Sequence, residues 1–267
     1  MVSVSVIIIS LNEENNIERT LNSLSFADEI IIVDSGSTDR TLDIARKYTD
    51  KIFDHEWMGF GKQKQFALSK ATKDWILSID ADEVLSDSLQ LEIKSVINNK
   101  NLDYIAYNIP FEQVFLNRVL RHGLFYKEKH LRLFKNGYAS FNDATVHEGL
   151  LFKKEAKIGH LKNYISHYSY ESLEVFLEKL IKYGKLGAQK RFDKGKKGSF
   201  LRPWIKSKWE FFRFYVVKKG FLDGKEGLLM AKMNADSAFY LYMMLYELEQ
   251  NQRITNKESI EKKINES

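Results

Sequence analysis

Trp75-Ile76-Leu77-Ser78-Ile79-Asp80-Ala81-Asp82-Glu83 is a short apolar run that ends in three acids. Residues 75–79 have the length and bulk of a buried strand. Carboxylates pushed out of its end cost desolvation free energy unless a cation or hydrogen-bond donors meet them. Working outward, the first hundred residues alternate strand and helix signals. Val4–Ser10 is an apolar, β-branched run, followed by Asn12 as a helix cap and by an inward stripe of Ile17, Leu21 and Leu24. Glu29–Val33 reads as a second strand, ending at Asp34-Ser35-Gly36-Ser37, with a helix beginning near Thr38-Asp39. Lys51–Phe53 is a short third strand, and a helix through Lys62–Ala71 leads into the opening stretch. Beyond it, Ser86 opens a helix carrying Leu89, Ile93, Val96 and Ile97. This order predicts a mostly parallel sheet covered by helices.

After Pro110 the pattern weakens. Glu128–Lys135 and the stretch around Ala144–Phe152 read as strands of a smaller mixed region. From Glu171 the reading is helical, over Glu171–Arg191, Pro203–Lys219 and Glu226–Gln250, with Asp193–Ser199 as a linker. The expected division is a domain over 1–170, a basic helical region over 171–253 and a polar tail over 254–267.

Composition narrows the chemistry. The 267 residues are 44% hydrophobic and 29% charged, and none is cysteine. Disulfides and thiolate sites are therefore excluded, and any metal must bind through oxygen and imidazole, which favours Mg²⁺ or Mn²⁺. The N-terminus lacks the basic, apolar and small-residue regions of a signal peptide. Leu228–Tyr246, the best candidate for a membrane span, is interrupted by Lys232, Asn234 and Asp236 and reads instead as an amphipathic or buried helix. The expectation is a cytoplasmic protein. The net charge of +5 is uneven: Lys179–Lys219 holds 14 basic residues against Asp193 and Glu210, leaving 27 basic and 34 acidic residues elsewhere.

In open parallel sheets, ligands sit beyond the carboxyl ends of the strands. Those ends here are Ser10-Leu11-Asn12-Glu13-Glu14, Asp34-Ser35-Gly36-Ser37-Thr38-Asp39 and Asp80-Ala81-Asp82-Glu83. Asp34 suits a base's imino N–H and Glu13 a ribose hydroxyl, although Asp34 and Ser35 equally suit capping the next helix. Asp80 and Asp82 supply carboxylate oxygen to a divalent ion that also binds phosphate. A surface turn is the ordinary explanation of an acid-x-acid triplet, but two other polar strand ends on the same rim favour the metal.

These three motifs together resemble family-2 glycosyltransferases of the GT-A fold, and especially the branch that adds sugars to the lipopolysaccharide inner core. Val146-His147-Glu148, His167-Tyr168-Ser169-Tyr170 and Gly220-Phe221-Leu222-Asp223-Gly224 extend the likeness over most of the chain. The resemblance implies a nucleotide-sugar-binding α/β domain with a mostly parallel, Rossmann-like sheet and a small mixed sheet, followed by a helical C-terminal extension. It implies inverting transfer from a nucleotide sugar, commonly a UDP-sugar, to a glycan or glycolipid acceptor, with Mg²⁺ or Mn²⁺. Carried over by position, Leu11, Glu13 and Asp34 contact base and ribose, Lys62 faces the donor phosphates, and Asp80 and Asp82 serve ribose, metal and diphosphate. Where this chain has Gln65, relatives often have Asn.

Inversion needs a base for the acceptor hydroxyl. Glu148 is the first choice and Asp143 the second, a salt-bridge partner being the bland alternative for Glu148. His147 and His167 are the candidates for a late metal ligand, against ordinary structural roles. Arg132 is placed to clamp an acceptor phosphate or carboxylate, or to form a strand-surface ion pair. Arg202–Tyr215 interleaves aromatics with cations, as an interfacial helix does at an anionic membrane. Nucleic acid is not expected, because no binding motif accompanies the charge. The expected location is the inner face of the plasma membrane, peripherally attached. A nucleotidyltransferase is the rival enzyme class, disfavoured by Asn12-Glu13-Glu14 where a glycine-rich phosphate loop belongs; a non-catalytic scaffold of the same fold is the other rival.

Overall fold

A computed structural model describes residues 2–99, 103–123, 128–142, 149–152, 155–170 and 172–265, with side chains described as far as Thr255. The chain divides into two compact units, one formed by residues 1–113 and 127–169, the other by residues 114–126 and 170–267.

The first unit begins with β1 (Val4–Ser10), α1 (Ile17–Asn22), β2 (Glu29–Asp34), α2 (Thr41–Ala45), β3 (Ile52–Asp54), α3 (Phe60–Lys70) and β4 (Trp75–Asp80). It continues through β5 (Glu83–Leu85), α4 (Asp87–Asn98) and β6 (Ala106–Phe115), whose last two residues belong to the second unit with β7 (Arg118–Leu120). Then come β8 (Lys129–Lys135), β9 (Ala139–Phe141), β10 (Leu150–Phe152), β11 (Ile158–His160) and β12 (Ile165–Tyr170). The sheet runs β3-β2-β1-β4-β8-β6-β12-β5, with β11 beside β6, while β9 and β10 form a separate pair.

The expected parallel core is present: β1 lies between β2 and β4, parallel to both, and β3 extends it beyond β2. The second half is mixed, with β8 antiparallel to β4 and β6, and β12 antiparallel to β5. Burial on both faces explains why β1 is apolar at nearly every position. Val4, Val6 and Ile8 pack with Ile17 and Leu21 of α1 and Leu89 and Ile93 of α4. Ile7 and Ile9 point the other way, against Ala67 and Leu68 of α3 and Phe134. Ser86 caps α4 as read, its Oγ accepting from the Leu89 N–H at 3.3 Å.

Asn12 does not cap α1, which starts only at Ile17. It adopts a left-handed φ of 54°, which Asn tolerates better than most residues, and its side chain crosses to the next loop.

The second unit holds α5 (Leu173–Asp193), α6 (Arg202–Phe212), a π-helical turn (Arg213–Val217), a 3₁₀ turn (Gly220–Asp223) and α7 (Gly224–Asn265). Its core gathers Phe115, Leu120, Phe176, Leu180, Phe214 and Met230. α5 and α7 approach closely where Gly187 lies under Leu241; a Cβ there would meet the leucine at 2.9 Å. Among the described residues, no helix is long and apolar enough to cross a membrane.

Candidate active site

Strand register gathers the polar ends on one rim. Ser10 pairs with Asp34 across β1 and β2, Ile9 with Asp80 across β1 and β4, and Asp34 with Asp54 across β2 and β3. The loops after β1 and β2 are stitched together. Asn12 N–H donates to Ser37 Oγ at 2.8 Å and Asn12 Oδ1 accepts from Thr38 N–H at 2.8 Å. Glu13 N–H donates to Thr41 Oγ1 at 2.8 Å and Glu14 N–H to Asp39 Oδ2 at 3.1 Å.

Asp34 is buried, and its carboxylate accepts from Ser10 Oγ, Ser37 Oγ and the N–H groups of Gly36 and Ser37, at 2.6–2.9 Å. It therefore shapes the 34–38 turn, in which Gly36 takes a φ of +93° that an L side chain rarely adopts. A cavity of about 520 Å³ opens beside it, lined by Gly36, Ser37, Arg46 and Asp54 among others, but by neither Asp80 nor Asp82. Leu11 is exposed on the rim, and Glu13 is half-buried with Oε2 accepting from Asn16 Nδ2 at 2.9 Å.

The centre of the rim is an ionic cluster around Asp80. One Asp80 oxygen lies 2.9 Å from Lys64 Nζ and the other 3.0 Å from Arg132. The same Arg132 nitrogen also pairs with Glu83, which is fully buried and accepts from the Asp80 N–H at 3.0 Å. Burial works against the Asp80 charge, but Lys64 and Arg132 more than offset it, so its carboxyl is held well below the ordinary range. Burial pushes Glu83 the other way, well above the ordinary range; the Asp80 charge adds to this and Arg132 opposes it. Arg132, read either as a clamp for the acceptor or as an ion-pair former, is turned onto these two carboxylates.

The sequence reading passes over Lys64 and gives Glu83, though quoted in the strand-end motif, no role of its own. Lys64 shares the inward stripe of α3 with Ala67 and Leu68, at i+3 and i+4, and this spacing was the available signal. Lys62, two residues earlier, falls on the exposed face near the helix N-terminus. Gln63 is buried and ties the loops together, its Nε2 donating to Ser35 Oγ and to the His55 carbonyl, each at 2.7 Å. Gln65 accepts from the Phe141 N–H at 2.8 Å.

Asp82 faces His167, with Oδ2 and Nε2 3.3 Å apart. β12 brings the histidine there by pairing His167 opposite Glu83, and the Tyr168 N–H donates to the Asp82 carbonyl at 2.9 Å. Ser169 Oγ also meets His167 Nε2, at 2.6 Å. Burial lowers the His167 pKa, but Asp82, with Glu83 and Asp80 behind it, overrides this and raises it above the usual value. Two donors bound at about 2.1 Å to neighbouring octahedral positions lie about 3 Å apart, so this oxygen and imidazole pair fits Mg²⁺ or Mn²⁺. Such ions complete their shells with water and substrate phosphate; among the described residues no group of three or more His, Asp and Glu side chains is placed to hold a metal ion. Asp143, His147 and Glu148 lie outside the described residues.

A mixed, mostly parallel α/β sheet with its acidic strand ends on one rim is the GT-A fold that the sequence leads one to expect. Residues 5–154 match the family model for glycosyl transferase family 2, and the chain belongs to that family. It is 35% identical over 254 residues to an "uncharacterized glycosyltransferase" of Rickettsia bellii, covering 92% of this chain and 86% of the relative. It is also 27% identical to the lipopolysaccharide core biosynthesis glycosyltransferase LpsC of Rhizobium meliloti, covering 91% of this chain and 92% of that one. Among solved structures, S. aureus TarS 1–349 in complex with UDP-GlcNAc aligns over 93% of this chain and 92% of its own, at 15% identity and a TM-score of 0.46. That last likeness is too loose to carry an assignment.

Proposed function

We propose that this glycosyltransferase moves a sugar, with inversion, from a UDP-sugar to a glycan or glycolipid acceptor of the lipopolysaccharide core. The observation that carries this reading is the Asp82–His167 pair, 3.3 Å apart, next to an Asp80 fixed by two cations at the sheet's carboxyl rim. Asp82 and His167 would hold the divalent ion, whose contribution when bound is to offset charge on the departing nucleoside diphosphate. The similarity to LpsC supports the choice of acceptor.

In this scheme the chain's own residues divide the work. Asp80, kept ionised by Lys64 and Arg132, accepts from a ribose hydroxyl, while Leu11, Glu13 and the turn shaped by Asp34 receive base and ribose. Lys62, near the N-terminus of α3, meets the donor phosphates. Arg132 positions Asp80 and Glu83. Glu148, with Asp143 as the alternative, takes the acceptor hydroxyl proton as that oxygen bonds to the anomeric carbon and the carbon–phosphate oxygen bond breaks. The first unit carries the donor chemistry, and the basic helical region over 171–253 serves the acceptor and a peripheral contact with anionic membrane at its cytoplasmic face.

The test is calorimetry of a nucleotide-sugar panel with Mn²⁺, on the wild type and on Asp82→Ala. Donor binding that requires Mn²⁺ and weakens by at least about tenfold in the variant is expected. Equal binding by the two proteins overturns the site. Release of pyrophosphate in place of a nucleoside diphosphate overturns the reaction.

A further inference from the structure

Within the second unit, α6 is amphipathic in an inverted sense. Its packed side holds Pro203, with Phe214 buried in the following turn, and Ser207 and Phe211 half-buried between them. Its opposite side carries Leu201, Ile205, Trp209, Phe212 and Val216, which are 47–65% exposed, while Trp204, half-exposed at the edge of the packed side, lies edge-on to Phe239 of α7 with ring centroids 4.8 Å apart. The positions 201, 205, 209, 212 and 216 follow a single helical stripe, so the exposed apolar groups form a continuous band. Glu210, the one acid among residues 202–219, is bound to Arg213 at 2.5 Å. Arg202 lies over the Tyr242 ring at 5.3 Å. Among the described residues, no carboxylate is paired with Lys206, Lys208, Lys218 or Lys219, which border or punctuate the band.

We propose that the outward face of α6 and the turn after it insert into the headgroup layer of an anionic bilayer, with Ile205 and Trp209 at the boundary and the four lysines on lipid phosphates. This rests on the peripheral-membrane reading above and assigns it a surface. An apolar band alone would suit many partners, but unpaired lysines bordering a band that holds Trp209 suit a layer that is apolar below and anionic above. A second copy of this chain is disfavoured, because a symmetric contact through this face would bring the same four cations against themselves.

The test is flotation of the full chain with phosphatidylcholine vesicles, alone and mixed equally with phosphatidylglycerol. Wild-type protein should float with the mixed vesicles only. Ile205→Glu combined with Trp209→Glu should abolish flotation, and Lys206→Gln combined with Lys208→Gln should weaken it about 25-fold. Both variants should keep wild-type Mn²⁺-dependent donor binding, which establishes that they fold. Equal flotation on both vesicle types, none on either, or variants that float like the wild type would overturn the proposal. So would a wild-type dimer in sedimentation that the same substitutions dissolve. Donor binding without flotation removes the surface and leaves the transferase reading standing; flotation without donor binding supports the surface and removes that reading.

Discussion

At the sheet rim, Asp80, Glu83, Lys64 and Arg132 are packed together, and each charge has its opposite beside it. On α6 the arrangement is reversed: Ile205 and Trp209 lie open, and Lys206 and Lys208 stand on the same helix with no acid paired to them among the described residues. Enclosed ion pairs keep their geometry because separating them would strand a charge away from water. That suits a small anionic ligand that must be oriented. An open apolar band with solvated cations holds no fixed geometry and suits a broad, fluid partner. The lesson is that the position of charge relative to burial, more than its amount, separates a chemical site from a contact surface.

The sharpest way to break this contrast is to remove the acid proposed as the base. Glu148→Gln should lower transfer by about 10²–10⁴-fold with donor binding intact, whereas Asp143→Asn should change it by no more than a few-fold. Initial rates with calorimetry in parallel decide this, and the opposite pattern moves the base to Asp143. Next comes the cluster itself. Arg132→Met leaves Asp80 and Glu83 side by side with one cation fewer, and should cost about 3–5 kcal/mol in urea unfolding. A loss below about 1 kcal/mol would mean that the cluster is not held together by this pairing.

Glu29 offers a comparison at the opposite end of β2. Burial alone would raise its carboxyl, but hydrogen bonds from Lys51, Ser5 and Thr72 bring it down to about 2 from 4.5. A carboxyl depressed in the folded state contributes stability that is complete above the unfolded value and lost as pH falls through the folded one. Wild-type stability should therefore drop by about 3 kcal/mol between pH 4.5 and about 2, and Glu29→Gln should flatten that segment of the curve. Identical acid profiles would remove Glu29 as the cause. Smallest of all is Ile205→Ser on α6, where stability in solution should move by no more than about 0.5 kcal/mol, because little apolar surface is uncovered. A loss of about 2 kcal/mol by thermal unfolding would show that the face is already covered.

The parallel core was readable because β1 is buried on both sides and is bounded by polar ends, so its composition announces both strand and rim. Asp80 and Asp82 were readable for the same reason. Lys64 was not, since a lysine in a mixed helix looks solvated until the strand opposite it is known to end in Asp80. Glu83 looked like a third acid of an exposed turn, and only its pairing with β12 buries it. The approach of His167 to Asp82 depends on antiparallel register, which short strands such as β5 and β12 do not encode locally. Asn12 misled because a polar residue before a helix has two uses, and its left-handed backbone selected the cross-loop one.

The hydrogen bonds that Asn12 makes in both directions, to Ser37 and Thr38, have a kinetic consequence. Neither loop can swing open without tearing its neighbour's bonds, so the two behave as a single shutter with a shared latch. Amide exchange in both segments should then follow one common opening rate, and replacing the Asn12 side chain with that of alanine, which removes the bond to Thr38 but leaves those from the Asn12, Glu13 and Glu14 N–H groups, should quicken that shared opening without separating the leaves.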